Sequence, residues 1–261
     1  MSPACAHDAP AAQRRLIDPA AYLDKITVAH EGIDTENLGP DPNAVIKTPS
    51  GEVLRANDPD KPVITYVARN LEPYRGFHTF MRALPAVQRE HRNAHVVIVG
   101  GDDVSYGARP KDAKNWREKM LAEVGSQLDS TRTHFFGKVP YADYKRVLQV
   151  SSVHVYLTYP FVLSWSCLEA MATGCFVVGS DTAPVREVLN QKDKGHSGAL
   201  VDALRPDSAQ EGLRRALQCA PHLYVEASAE SRANAAMYRR DACSETWGRL
   251  LEACQSVGDA W

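Results

Sequence analysis

The chain has 261 residues, 44% of them hydrophobic and 24% charged, with a formal net charge of −2. That length holds one large or two modest domains, and the balance is ordinary for a soluble globular protein, which excludes disordered and fibrous classes. A near-neutral chain carries no overall footprint for nucleic acid or an anionic membrane, so any phosphate site must be local.

Six cysteines, at 5, 167, 175, 219, 243 and 254, form no Cys-x-x-Cys pair and read as reduced thiols in a cytoplasmic compartment. The N-terminus, Met1-Ser2-Pro3-Ala4-Cys5-Ala6-His7-Asp8, has no basic segment followed by an apolar one, and no apolar run reaches the length of a membrane span.

In chain order, residues 1 to about 25 are rich in Ala, Pro and charge and read as a partly ordered lead-in. Ile26 to His30 suggests a short strand, followed by the Pro-punctuated Leu38-Gly39-Pro40-Asp41-Pro42. Val45 to Thr48 and Glu52 to Arg55, joined by Pro49-Ser50-Gly51, predict a small peripheral hairpin. From Val63 strands alternate with helical patterns, the signature of an α/β fold with a doubly wound parallel sheet. Predicted strands are 63–68, 95–100, 133–136, 153–157, 176–179 and 199–201. Predicted helices are 77–91, 113–127, 140–149, 164–173, 184–189, 207–219, 223–238 and 242–257, with a kink at Pro85. The chain therefore divides into a segment 1–62 without a core of its own and a domain 63–261.

Chemistry concentrates where strands hand over to helices. The first such loop, Ala68-Arg69-Asn70-Leu71-Glu72-Pro73-Tyr74-Arg75-Gly76, has one glycine and two arginines. A dinucleotide fingerprint would have three glycines. Two guanidinium forks at a sheet edge suit a diphosphate gripped by side chains; the plainer reading is two exposed loop charges. The helix opening around Ser164, Trp165 and Ser166 would aim its amides at an anion. Glu169, one turn further on, has two readings: Ser166-Cys167-Leu168-Glu169 has the spacing of a capping box, or the carboxylate accepts sugar hydroxyls. Asp102 and Asp103 could read a ribose or base or be solvated turn acids, and Glu187 could bind a ligand or complement a helix dipole. No metal-binding His spacing and no Gly-x-Ser-x-Gly elbow occurs, so a hydrolase or metalloenzyme is disfavoured.

The order of these parts resembles the C-terminal, donor-binding domain of the retaining GT-B glycosyltransferases of family 4, the group 1 glycosyltransferases. The likeness covers roughly residues 26 to 257. It rests on Gly32-Ile33-Asp34 with Pro40, the Arg69 to Gly76 loop, Leu168-Glu169-Ala170-Met171-Ala172-Thr173-Gly174, Pro184 with Glu187, and Gly198-Ala199-Leu200-Val201. It implies a Rossmann-like half of a GT-B enzyme with a nucleoside-diphosphate sugar as donor and no separate cofactor or metal. Arg69 and Arg75, beside Gly76, would hold the diphosphate, and Glu169 the ribose; these three are the implied catalytic residues. Amides near Ser164 and Trp165 would hold phosphates, those at Val162 and Leu163 would approach the donor sugar, and Lys138 and Val139 would face the base. The second basic position is Arg75 where the family has Lys. The family's first Glu falls on Phe161, which points to a different or deoxygenated sugar.

The resemblance further implies an N-terminal acceptor domain that this chain lacks, in cis or in trans. An exposed face of the last helix, with Trp247, Leu250, Leu251 and Cys254, would be open to dimerisation. The alternative is a non-catalytic nucleotide or nucleotide-sugar module of a larger assembly.

Overall fold

The structure, a computed structural model, describes residues 29–159, 163–189, 197–218 and 221–258. A hairpin of β1 (Val45–Lys47) and β2 (Val53–Arg55) precedes a parallel sheet of β3 (Val63–Asn70), β4 (His95–Gly101), β5 (Thr133–Gly137), β6 (Val153–Tyr156), β7 (Phe176–Ser180) and β8 (Gly198–Val201). The helices are α1 (Phe77–Glu90), α2 (Trp116–Val124), α3 (Tyr141–Gln149), α4 (Trp165–Ala172), α5 (Ala183–Leu189), α6 (Pro206–Leu217), α7 (Pro221–Ala236) and α8 (Arg240–Gly258). Among the described residues no helix is long and apolar enough to cross a membrane.

The sheet order is β5-β4-β3-β6-β7-β8, so the connections run outward in both directions from the β3–β6 pair. Helices cover both faces, which is why the strands are near-continuous apolar runs: all of β4 and β7 is buried. On one face Phe77, Phe80, Met81 and Leu84 of α1 pack with Leu213 of α6 and Met120 of α2. On the other, Cys167, Leu168 and Met171 of α4 pack with Val185 and Val188 of α5 and Ala235 of α7.

The predicted elements from Val45 onward are present, and their boundaries differ for local reasons. The second helix starts at Trp116, not at 113, because Asn115 caps it: its side chain accepts from the Glu118 amide at 2.8 Å. The first helix runs unbroken through Pro85, which is buried in it. Pro184 sits second, not first, in α5. Ile26 to Val28 lie outside the described residues, while Ala29 and His30 are not in a strand.

The segment before Val63 is tied in. The hairpin contributes Ala44, Ile46 and Leu54 to a cluster with Val63, Val97, Val99, Val147 and Val150. Further upstream, Ile33 and Leu38 are buried beside Tyr156 and Met171, and Ile33 bridges to Arg239 at the α7–α8 junction. Gly174 ends α4 at φ 82°, a conformation that favours glycine, and a Cβ there would overlap the Ser228 hydroxyl of α7.

Because Leu54 is fully buried against strands of the sheet, Leu54→Ala is expected to lower the stability of the whole domain by about 2–4 kcal/mol in one cooperative denaturant transition. A separate early transition, or no change, would show that the hairpin is independent.

Candidate functional site

In an open doubly wound sheet, connections that leave a pair of central strands in opposite directions part above their carboxyl ends and leave a crevice. Here that crevice lies above β3 and β6. A cavity of about 290 Å³ fills it, lined by Tyr66 to Arg69 and Arg75 from the β3 side, Val155, Tyr156 and Leu157 from β6, Ser164, Trp165, Ser166 and Glu169 from α4, and Tyr144 from α3.

The β3 wall is a shaped turn. Arg69, next to last in β3, is exposed; beyond the strand the Leu71 amide donates to the Gly101 carbonyl at 2.8 Å, and Pro73–Arg75 make one tight helical turn. Gly76 closes that turn at φ 69°, where a Cβ would overlap the Cβ of Leu157. The Tyr66 hydroxyl donates to the Arg75 carbonyl at 2.7 Å. The Arg75 guanidinium lies against the buried Tyr156 phenol and 5.3 Å from the centre of the Tyr106 ring.

The opposite wall is the start of α4. Ser164 is its N-cap and donates its amide to the Tyr156 hydroxyl at 2.8 Å, so that amide is already satisfied. The amides of Trp165 and Ser166 open the helix as first-turn donors with no partner inside it. This places two cations opposite a helix N-terminus, an arrangement that attracts an anion from both sides.

Glu169 is not part of a capping box. Ser166 lies inside the helix, and the Glu169 carboxylate instead accepts from two phenols of α3, Tyr141 at 3.1 Å and Tyr144 at 2.5 Å. The i, i+3 spacing of these tyrosines puts both on one face of α3. Burial, with the adjacent carboxylate second, pushes the Tyr141 hydroxyl up to about 12 and the Tyr144 hydroxyl well above its ordinary value. Both phenols therefore stay protonated donors at neutral pH.

The cavity thus brings together Arg69, Arg75, Ser164, Trp165 and Glu169. Gly76 shapes the turn without lining the cavity, and Leu163 is half-buried against the core cluster that includes Tyr156, Leu168 and Val185. Lys138 is exposed with its stem over Gly101, and Val139 packs in the hairpin cluster, so neither lines this cavity. Phe161 and Val162 lie outside the described residues. Asp102 and Asp103 pair with Arg117 at 2.9 Å and Arg109 at 2.7 Å, and Glu187 meets His30 at 3.3 Å. Of the predicted dimer face, Trp247 and Leu251 are exposed, and the Trp247 indole donates to the His30 carbonyl at 3.1 Å.

Sequence reasoning missed Tyr66, Tyr144 and Tyr156, which serve the site from strands and a helix that read as ordinary core. It also passed over Glu72, which is 1% exposed and accepts from three successive amides of the loop after β4.

A doubly wound domain with an anion-attracting cleft at its switch point defines a class of nucleotide-type binding domains. The profile of the group 1 glycosyl transferases matches residues 54–236, and the chain belongs to that family. Over 181 residues it is 28% identical to a phosphatidyl-myo-inositol mannosyltransferase of Mycobacterium leprae (strain TN), covering 64% of this chain and 41% of that protein. Sucrose-phosphate synthase from Thermosynechococcus elongatus superposes with a TM-score of 0.69 at 19% identity, covering 91% of this chain and 56% of that one. The C-terminal domain of a group 1 family glycosyl transferase from Francisella tularensis gives 0.62 at 16% identity, covering 80% of this chain and 99% of that domain. These two structures speak for the fold, which is that of the C-terminal half of GT-B glycosyltransferases. The chain spans 41% and 56% of the mannosyltransferase and the synthase.

The folded Tyr141 hydroxyl, raised to about 12, ionises later than in an unfolded chain, where it does so near 10. Its protonated form is thus favoured on folding, and that preference is present below pH ~10 and lost as the pH rises towards 12. Replacing Glu169 with Gln is expected to lower the Tyr141 midpoint, followed by ultraviolet difference titration with Tyr141→Phe as the subtraction control. An unmoved midpoint would show that the carboxylate does not act on this phenol.

Proposed function

We propose that this domain is the donor half of a retaining glycosyltransferase that uses a nucleoside-diphosphate sugar. The observation that carries the reading is the meeting of Arg69, Arg75 and the first turn of α4 around one cavity above β3 and β6. A nucleoside diphosphate leaving from the sugar develops negative charge on its terminal phosphate. Two guanidinium groups and the first-turn amides of α4 would stabilise that charge without reorganising, which lowers the barrier to transfer. Glu169, already fixed by two phenols, would accept the two hydroxyls of the ribose. A carboxylate has acceptor sites to spare after binding the tyrosines.

The mannosyltransferase and synthase relatives support transfer of a glycosyl group, and the Francisella domain supports assignment to the donor side. A facing domain would bring the acceptor and close the cleft against water. Cytoplasmic location fits a sugar nucleotide substrate.

Calorimetric titration with UDP, GDP and ADP, and then with their sugars, tests the reading. One of them is expected to bind, and Arg69→Ala should weaken it by about 1.5–3 kcal/mol, the scale of a charge-assisted hydrogen bond. Binding of NAD with no nucleoside diphosphate bound would overturn the proposal. Glu169→Gln should weaken the ribonucleoside diphosphate but leave the 2′,3′-dideoxy analogue, which lacks both hydroxyls, nearly as it was. Equal losses for both would remove Glu169 from ribose recognition.

A further inference from the structure

We propose that Glu72 is a positioning residue of this cleft: its buried carboxylate anchors the segment 105–107, and that segment holds Tyr106 against the Arg75 guanidinium. The proposal rests on the donor-site reading for what Arg75 binds, but not for how Arg75 is held.

One Glu72 oxygen accepts from the amides of Ser105 at 3.1 Å, Tyr106 at 3.1 Å and Gly107 at 3.0 Å, and the other accepts from Ser105 at 3.2 Å. Successive backbone amides that converge in this way make a concave anion site. Here the site is filled from within. A buried carboxylate is costly unless its charge is met, and among the described residues Glu72 makes no ion pair; the three amides supply the compensation. A second tie, from the Asn70 side-chain amide to the Ser105 hydroxyl at 2.8 Å, joins the same two loops.

A loop staple alone would explain those bonds. The positioning role follows from what lies at either end of the staple. On the main-chain side, the Glu72 carbonyl accepts from the Arg75 amide at 3.1 Å, so Glu72 opens the turn on which Arg75 sits. On the side-chain side, the Tyr106 amide donates to the Glu72 carboxylate and so holds the backbone that carries the ring whose centre is 5.3 Å from the Arg75 guanidinium carbon. A cation over an aromatic face is attracted to it at that distance. Glu72 therefore supports both the backbone of Arg75 and one of the two surfaces its guanidinium rests on, the other being the Tyr156 phenol. Arg69, near the end of β3, is exposed.

Glu72→Gln keeps the shape but replaces one acceptor oxygen with a donor, which opposes the amides. Nitrogen-15 NMR of the free protein is read first, with Tyr106→Leu as reference. In Glu72→Gln the Tyr106 and Gly107 amides should exchange about tenfold faster or more, and the Arg75 Nε–H signal should move to its position in Tyr106→Leu. The affinity for whichever of UDP, GDP and ADP the wild type binds should fall about tenfold in Glu72→Gln, with no further fall when it is added to Tyr106→Leu. Glu72→Asp, which keeps the charge, should recover part of both. Faster exchange with an unmoved Arg75 signal and unchanged affinity would reduce Glu72 to a loop staple and overturn the proposal. If the wild type binds none of the three diphosphates, the donor reading fails, while the Arg75 signal still decides the positioning. Should Glu72→Gln not fold, an unmoved Arg75 signal in Tyr106→Leu overturns the proposal by itself.

Discussion

The pairing of β3 with β6 is the constraint on which the cleft depends. Three registered pairs, Ile64 with Val153, Thr65 with His154 and Tyr66 with Val155, fix how far each strand reaches before its loop begins. The seam is also locked by side chains. The Thr65 hydroxyl meets the His154 Nδ1 at 2.9 Å and the Ser151 hydroxyl at 2.7 Å, all inside the sheet. Burial holds the His154 imidazole down to about 3, so it is neutral and the contact is a hydrogen bond between uncharged groups. A slip of one residue along this seam would turn Tyr66 and Tyr156 to the opposite face. It would take the support of Arg75 and the anchor of Ser164 with it.

Those two tyrosines carry the register into the site. Tyr66 is buried in the core on one face of the sheet, and its hydroxyl emerges at the Arg75 carbonyl. Tyr156 is buried with the helices of the opposite face, and its hydroxyl receives the Ser164 amide. Each phenol has an apolar body that packs and a polar tip that reaches the cleft, the combination tyrosine offers. The arginine turn and the α4 start are thus tied to the packed sheet as well as to their own loops. A second pair, Tyr141 and Tyr144, does the same for Glu169 from α3.

This division explains what could be read from the sequence. The strands were legible because buried parallel strands are nearly unbroken apolar runs, and the turn residues mark their ends. Arg69, Arg75 and Glu169 stood out because charge at the edge of such runs is conspicuous. The supporting tyrosines did not. A tyrosine in a strand or on an amphipathic helix has the same local pattern whether its hydroxyl meets a catalytic loop or water, and only the tertiary arrangement distinguishes the two. Glu169 shows the opposite error: the Ser166 to Glu169 spacing satisfies a capping rule, but Ser164 begins the helix, so the rule applied to the wrong serine. The packing of the hairpin on β3, β4 and α3 was also hidden, since Leu54 lies in a strand of three residues with no periodicity to read.

The same geometry accounts for an arginine loop where a dinucleotide fold would place glycines. A glycine-rich turn binds phosphate with its own amides, which requires that they be vacant and that no side chain intervene. In this chain the converging amides belong to the neighbouring loop, at 105–107, and Glu72 occupies them. The amides of the arginine turn are spent as well: Leu71 donates to the Gly101 carbonyl, Arg75 and Phe77 to that of Glu72, and Gly76 to that of Pro73, so attraction for an anion from this side passes to guanidinium groups. Guanidinium forks reach further than amides and must be held in place to act as fixed dipoles. The tight turn, the Gly76 bend against Leu157, and the Tyr106 ring are the features that hold Arg75. In the donor-site reading, the carboxylate that fills the nest at 105–107 also supports the arginine that faces the anion.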